Sequence, residues 1–237
     1  AWAMLSRVSL TMENYEKAEH YADLSLEQHA TLLDYNTLTP SATRPIPAMS
    51  DEMLFYGAGI NYSFITSTIS YVDTLLYSAY AANDLRRTVF FRLRSPNRYT
   101  FKAHYTGTSL MFSGIGNDEV YLNRAEARAR NGNVNGALED INALLVKRWR
   151  TGTFTPITET NETVLLYIIL AERRKELLFR GNRWTDLRRL NKDSNFAKTL
   201  SRKLNGTTYT LPPNDERYVY PIPFQEISIS GIAQNPR

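Results

Sequence analysis

EVYLNRAEARARNGNVNGALEDINALLV, residues 119–146, is the stretch whose reading decides the fold. Its first half is helical to about Arg130, Asn131-Gly132-Asn133 makes a turn, and Ala137, Ile141 and Leu144 then recur on one helix face. A small residue such as Ala137 on that face lets a neighbouring helix come close, as tetratricopeptide-type hairpins require. The chain opens on a second copy, AWAMLSRVSLTMENYEKAEHYA, residues 1–22. There Ala1, Leu5, Val8 and Met12 fall at helical spacing, Glu13-Asn14 turns the chain with Asn14 as N-cap, and a second helix carries Tyr15, Ala18, Ala22 and Leu26. Aligning Ala18 with Ala137 also aligns Trp2 with Tyr121 and Asn14 with Asn133. Two helical hairpins are therefore expected, one over 1–36 and one from 119 onward. They are not tandem, and two alone are few for a solenoid, so further hairpins are expected upstream of residue 1.

The intervening residues 37–118 change character. Pro40, Pro45 and Pro47 break helix, SDEMLFYGAGINYSF (50–64) reads as a short strand and a glycine-containing loop, and a helix is expected over Thr68 to Tyr80. Up to Gly116 the sequence is irregular and rich in Tyr, Phe and Arg. Loops held on a rigid scaffold are where binding concentrates. Tyr56, Asn61, Tyr62 and Phe64 combine aromatic faces with an amide in one loop, a set open to a ligand role. They are the expected ligand contacts, followed by Tyr71 and Tyr77. Packing beneath the loop is the competing role for each.

The next landmark is AERRKELLFRGNRWTDLRRL, residues 171–190. A long helix is expected from about Asn161 to Arg180, with Glu159 and Glu162 near the positive end of its dipole and Gly181 as its C-cap. A short helix, Trp184 to Leu190, should follow. Leu165, Ile169, Glu172, Glu176 and Phe179 share one stripe, so two carboxylates sit on an otherwise apolar face. They could serve as an acid and base or as metal ligands. Pairing with arginines such as Arg183 or Arg188 is favoured, because buried carboxylates need partners and no histidine accompanies them. Trp184 could stack on a ligand ring, but its place just past a helix end favours packing. After Leu190 periodicity fades, and Pro212-Pro213, Pro221 and Pro223 predict an extended tail.

Composition excludes several classes. The 237 residues contain no Cys, which removes disulfides, thiolate metal sites and cysteine nucleophiles. A net charge of +4, from 28 Lys plus Arg against 24 Asp plus Glu, is a mixed surface and not a nucleic-acid footprint. The longest apolar run, VLLYIILA (164–171), is far short of the roughly 20 residues a bilayer requires. His20, His29 and His104 form no metal-ligand pattern, and nucleotide-binding glycine loops and nucleophile elbows are lacking. No catalytic residue, metal or cofactor is therefore expected. The sequons at Asn61, Asn161 and Asn205 bear only on a eukaryotic secretory setting.

Together these motifs resemble one family. The order NDEVYLNRAEARARNGNVNGALEDINALLVKR (117–148), ILAERRKELLFRGNRWTDLRRL (169–190), YVYPIPFQEI (218–227) and a terminal QNP is similar to the C-terminal region of SusD/RagB outer-membrane lipoproteins of Bacteroidetes. SDEMLFY and AANDLRR extend the likeness upstream. Glu172, Arg173, Glu176, Gly181, Arg183, Trp184, Asp186 and Arg188 are the signature positions, read as structural. The sequence departs from the family at Arg180, where an acidic residue is usual, and at Thr185, usually aromatic. The resemblance implies an all-α, mainly helical SusD-like fold: tetratricopeptide-like hairpins, a loop-rich insertion and an extended C-terminal segment. Residues 1–237 would be the C-terminal part of a single SusD-like domain. It further implies a non-catalytic lid over a SusC-like TonB-dependent transporter, capturing an oligosaccharide or peptide at the cell surface. An export signal and lipid anchor to the outer membrane would lie upstream of residue 1. Two alternatives stay open: an intracellular tetratricopeptide-like adaptor, and a helical glycoside-processing enzyme using Glu172 and Glu176.

Overall fold

Asn14 and Asn133 each start the second helix of a hairpin by the same device. The Asn14 side-chain oxygen accepts from the Lys17 N–H at 3.1 Å, and that of Asn133 from the Gly136 N–H at 3.0 Å, satisfying a donor that the first helical turn leaves open. The computed structural model describes residues 1–59 and 70–236, in two units, Ala1–Arg183 and Trp184–Arg237.

The first unit runs α1 (Trp2–Thr11), α2 (Tyr15–Gln28), β1 (Met53–Phe55), α3 (Thr74–Ser78), α4 (Arg86–Val89), β2 (Phe91–Ser95), β3 (Arg98–Phe101), β4 (Ile115–Gly116), α5 (Asn117–Arg130), α6 (Val134–Val146) and α7 (Glu162–Glu176). Both expected hairpins are present, and they meet directly: α5 packs against α1, α2, α6 and α7. Ala18, Ala22, Ala127 and Ala137 are wholly buried, so small side chains set the close helix spacing. On α1 the anticipated stripe faces outward. Leu5, Val8 and Met12 are exposed, while Ala3, Ser6, Ser9 and Leu10 are buried. The buried face is small and partly polar because Ser6 Oγ accepts from Asn123 Nδ2 at 3.0 Å. Arg7 adds a two-pronged pair to the buried Glu119, at 2.6 and 2.7 Å.

The loop-rich region has an aromatic core of its own. Tyr35, Tyr80, Phe90, Phe91, Phe101, Tyr105 and Phe112 are buried there with Ile46, Val72, Leu76 and Val89. Strand β1 pairs with β4, and the glycine loop continues that ribbon: Gly59 N–H donates to Met111 O and Ser113 N–H to Gly57 O. A Cβ on Gly57 would meet Ser113 Oγ at 2.9 Å, so glycine here permits close backbone approach. Strands β2 and β3 form a hairpin within the stretch expected to be irregular, its turn closed by Pro96 and by Asn97 at φ 58°. The helix expected over Thr68 to Tyr80 is confined to α3, residues 68 and 69 lying outside the described residues. Val72 N–H instead bonds Tyr99 O, and Asp73 caps the short helix that follows.

Helix α7 begins on its Asn161 cap as expected but ends at Glu176, not Arg180. The chain turns through Phe179 (φ 59°) and Gly181 (φ 80°), so Gly181 supplies a left-handed turn ahead of the next helix and does not cap α7.

That helix, α8 (Asn182–Leu190), leads into the second unit, with β5 (Leu200–Leu204), β6 (Thr207–Leu211) and α9 (Phe224–Ser230). The β5–β6 hairpin was not anticipated. It turns on Asn205 (φ 48°) and Gly206 (φ 84°), the two left-handed residues a tight hairpin favours. Trp184 packs on Tyr218 and stacks on Tyr220 at 5.5 Å, and its Nε1–H donates to Tyr218 O at 3.1 Å. Packing is thus its role, although it stays half-buried. The tail is not extended throughout: α9 starts after Pro223, which suits a helix N-terminus, and Gly231 (φ 71°) ends it. Gln234 then returns to bond both polar groups of the Ile222 backbone.

Candidate functional site

The signature carboxylates of α7 lie in a buried ionic joint. Arg86, itself 0% exposed, donates to both oxygens of Asp84 (2.9 and 2.7 Å), to Glu172 (2.6 Å) and to Glu176 (2.9 Å). Arg148, equally buried, donates to Glu176 at 2.7 Å, to Glu52 at 2.8 Å and to the Leu33 carbonyl at 2.6 Å. Lys175 joins Glu172, and Arg180 grips Asp118 with two nitrogens. The partners seen for Glu172 and Glu176 are Arg86, Arg148 and Lys175, where Arg183 or Arg188 had been expected. Arg86 and Arg148 arrive from distant segments of the chain. Arg180, at the position where the family usually has an acid, is matched here by Asp118.

Five carboxylates (Glu52, Asp84, Asp118, Glu172, Glu176) face four cations (Arg86, Arg148, Lys175, Arg180). Burial pushes Glu52 up to about 8 against the pull of Arg148, with Asp118 and Glu176 adding to the rise. A proton on Glu52 would bring the joint to charge balance. Burial would raise Asp84 and Asp118 as well, but Arg86 and Arg180 respectively outweigh it and hold both below the usual range. Tyr105 links the acids: its hydroxyl donates to Glu52 at 2.8 Å and meets Tyr35 OH at 2.9 Å. Arg180 and Arg148 lie over the rings of Tyr105 and Tyr35, each at 4.1 Å.

Glu52, Asp118 and Glu176 bring one oxygen each within 4.8 Å of one another, the spacing of a metal site. Guanidinium groups already occupy that space: Arg148 bonds Glu52 and Glu176, and Arg180 bonds Asp118. The arrangement suits a structural joint, and Glu172 and Glu176 lack the freedom an acid–base pair needs.

Glu52 also fixes the backbone from which a groove is built. Its second oxygen accepts from Leu33 N–H at 2.5 Å, and its neighbours on both sides line a groove of 330 Å³ formed by His29, Met49, Ser50, Asp51, Met53, Leu54 and Tyr56. His29 reaches across to the Asp51 carbonyl at 2.5 Å. Two features mark this place. Met49 holds a left-handed backbone (φ 57°) while 71% exposed, and strain of that kind collects where binding is done. Ser50 Oγ is buried without a hydrogen-bond partner among the described residues. Of the expected ligand contacts, Tyr56 lines the groove and is exposed, whereas Asn61, Tyr62 and Phe64 lie outside the described residues.

A second aromatic group lies on the β2–β3 hairpin and α3. Tyr77 stacks on Tyr99 at 3.5 Å between centroids, Arg87 lies over Tyr77 at 5.0 Å, and the exposed Tyr71 carries Arg98 at 5.2 Å. Tyr71 and Tyr77 were singled out in the sequence; Tyr99 and the two arginines were not, because only the cross-strand register brings them there. The remaining signature residues are scaffold. Arg173 donates to Asn123 at 2.7 Å and Asp186 accepts from Arg189 at 2.9 Å, while Arg188 is exposed.

Comparison with known proteins agrees with this architecture. Similar folds include a SusD superfamily protein from Bacteroides thetaiotaomicron (24% identity, TM-score 0.72, covering 100% of this chain and 60% of that one). Surface glycan-binding protein A from Bacteroides uniformis matches at 17% identity and TM-score 0.72, over 99% of this chain and 60% of that one. A SusD-like carbohydrate binding protein from Bacteroides vulgatus matches at 20% identity and TM-score 0.66, over 95% and 56%. At these identities the shared property is the fold, and the chain spans 56–60% of the length of these three relatives. No curated protein sequence matches significantly. The sequence model of the SusD family matches residues 118–237, half of the chain, and with it the helices and tail that carry the signature motifs: the chain belongs to the SusD family.

Proposed function

We propose that the protein is a non-catalytic glycan-binding protein of the cell surface, a lid that encloses its ligand over a SusC-like TonB-dependent outer-membrane transporter. The observation that carries this reading is the groove at Met49–Tyr56, where an exposed aromatic ring, an unpartnered hydroxyl and a strained rim are held by the ionic joint through Glu52. Rings supply the apolar face a pyranose needs, and hydroxyl and carbonyl groups meet its polar edge. The relatives named for carbohydrate or glycan binding lend the ligand class. Engagement of Glu172 and Glu176 by arginine and lysine favours binding over hydrolysis. Anchoring to the outer membrane by a lipid completes the proposal.

Titration calorimetry of the chain against neutral and acidic oligosaccharides and against peptides tests it. Binding of an oligosaccharide that Tyr56→Ala weakens, with the glycan recovered intact, is the expected result. Binding of peptides alone would shift the ligand class. Turnover of a glycan that Glu172→Gln abolishes would replace the lid with an enzyme.

A further inference from the structure

The β2–β3 hairpin has two different faces. Its register pairs Phe91 with Phe101, Arg92 with Thr100 and Leu93 with Tyr99. Since side chains alternate along a strand, Arg92 and Thr100 lie on the face opposite Phe91 and Phe101. The ladder continues through Lys102 N–H to Phe90 O at 2.8 Å, which puts Lys102 beside Arg92 on that second face. Arg94 lies there too, donating to Thr100 Oγ1 at 3.1 Å. Lys102 is only 7% exposed, and its ammonium donates to the carbonyls of Pro40 and Ala42, drawing in the loop that carries Arg44.

Among the described residues no ion pair reaches Arg44, Arg92 or Lys102, and none of residues 60–69 is acidic. From Leu85 to Asn117 the sequence has no Asp or Glu, but it has Arg86, Arg87, Arg92, Arg94, Arg98 and Lys102. Only Arg86 of these enters the ionic joint. The cations feel one another: burial and then Arg92 lower Arg44 and Lys102, and burial and then Arg44 lower His104 to about 4. A buried ammonium beside like charges is unfavourable until an anion joins it. Guanidinium forks fit the oxygens of a sulfate or carboxylate two at a time.

We propose that Arg44 and Arg92, with the Lys102 ammonium behind them, form a site for an anionic substituent of the ligand, the sulfate or carboxylate of an acidic glycan. The ligand class rests on the glycan reading above; the anion site does not. Two titrations separate them. Inorganic sulfate titrated at millimolar concentration, with ionic strength held constant by chloride, should give a saturable binding heat, which general exclusion of sulfate from the surface does not produce. Arg44→Ala with Arg92→Ala should weaken sulfate binding about tenfold or more, the loss of charge-assisted bonds. Arg202→Ala, an exposed cation on β5, should leave it unchanged. Sulfated and uronate-containing oligosaccharides should bind at least about tenfold tighter than a neutral one of the same linkage and length, an advantage that falls with salt. Which acidic form binds tighter identifies the substituent. Because salt dependence is read on the unmutated chain, a double variant that fails to fold leaves the test intact.

No saturable sulfate binding, or equal sulfate binding by the double variant, overturns the site. Equal affinity for neutral and acidic oligosaccharides overturns the ligand class. Sulfate binding without any oligosaccharide binding would leave the site standing and remove the glycan reading.

Discussion

Glu176→Gln keeps the shape of the side chain and removes one charge from the centre of the ionic joint. Arg148 Nε and Arg86 Nη1 lose their anion at 2.7 and 2.9 Å, and both arginines are fully buried. Breaking a buried pair of this kind costs about 3–5 kcal/mol. Here a second acid can respond, because Glu52 carries a spare proton. With Glu176 neutral, one of the charges that raises Glu52 is gone, and ionising Glu52 restores four carboxylates against four cations. Its release at a pH below its pKa costs about 1.4 kcal/mol per unit.

The sign is fixed by Glu52's folded value of about 8 against an ordinary 4.5. In the unmutated chain its contribution is complete below the ordinary value and is lost as pH rises through about 8. The variant, with a lower folded value, loses less over the same range. The stability difference should therefore be about 3 kcal/mol near about pH 6 and shrink by at least about 1 kcal/mol towards about pH 9. Urea unfolding followed by circular dichroism at both pH values reads it, with the slope checked for constancy. A difference that stays constant with pH, or grows, would refute the assignment of the proton to Glu52. A loss under about 1 kcal/mol throughout would refute the claim that Glu176 is central to the joint.

Asn133→Ala removes the cap of α6 and should lower stability by about 1 kcal/mol, measured as a shift in urea midpoint. Ala18→Leu should cost about 1–3 kcal/mol by overpacking the contact between α2 and α5, and a neutral outcome would mean the helices are looser than described. Burial and Arg44 depress His104 to about 4, so its stabilising contribution is present above the ordinary 6.5 and lost as pH falls towards 4; His104→Phe should flatten that acid limb of the unfolding curve. Tyr71→Ala, on an exposed ring, should leave the melting temperature unchanged, while loss of oligosaccharide affinity would extend the contact surface beyond the groove.

What could be read from the chain beforehand was local. Asn14 and Asn133 announce their caps, and Ala18 and Ala137 the close helix contacts, because each signal lies within a few residues of its effect. Lys175, three residues from Glu172, was within reach of helical spacing, but the arginine partners of Glu172 and Glu176 lie 86 and at least 28 residues away, and helical spacing says nothing of such distances. Two hairpins were legible and missed. Phe91, Leu93, Tyr99 and Phe101 alternate with Arg92, Arg94, Thr100 and Lys102, and Asn205-Gly206 is a hairpin turn that invited attention as a glycosylation sequon instead. Of the expected contacts Tyr56 lies on the groove, but His29 comes from another stretch and only the folded chain brings it there. The cationic face was visible as a run without acids, yet a whole-chain charge of +4 concealed it.

The packing of α2 against α5 also bears on how such a chain can change. The two helices are sequence neighbours in a solenoid sense, yet everything from His29 to Gly116 is looped out between them. The entropy of closing a loop grows only with the logarithm of its length, so doubling such an excursion costs about 0.6 kcal/mol. An insertion with an aromatic core of its own recovers more than that. The helical stack can therefore accept excursions of very different length and composition at this point without being redesigned, and a lineage can exchange one ligand surface for another while the supporting helices stay the same.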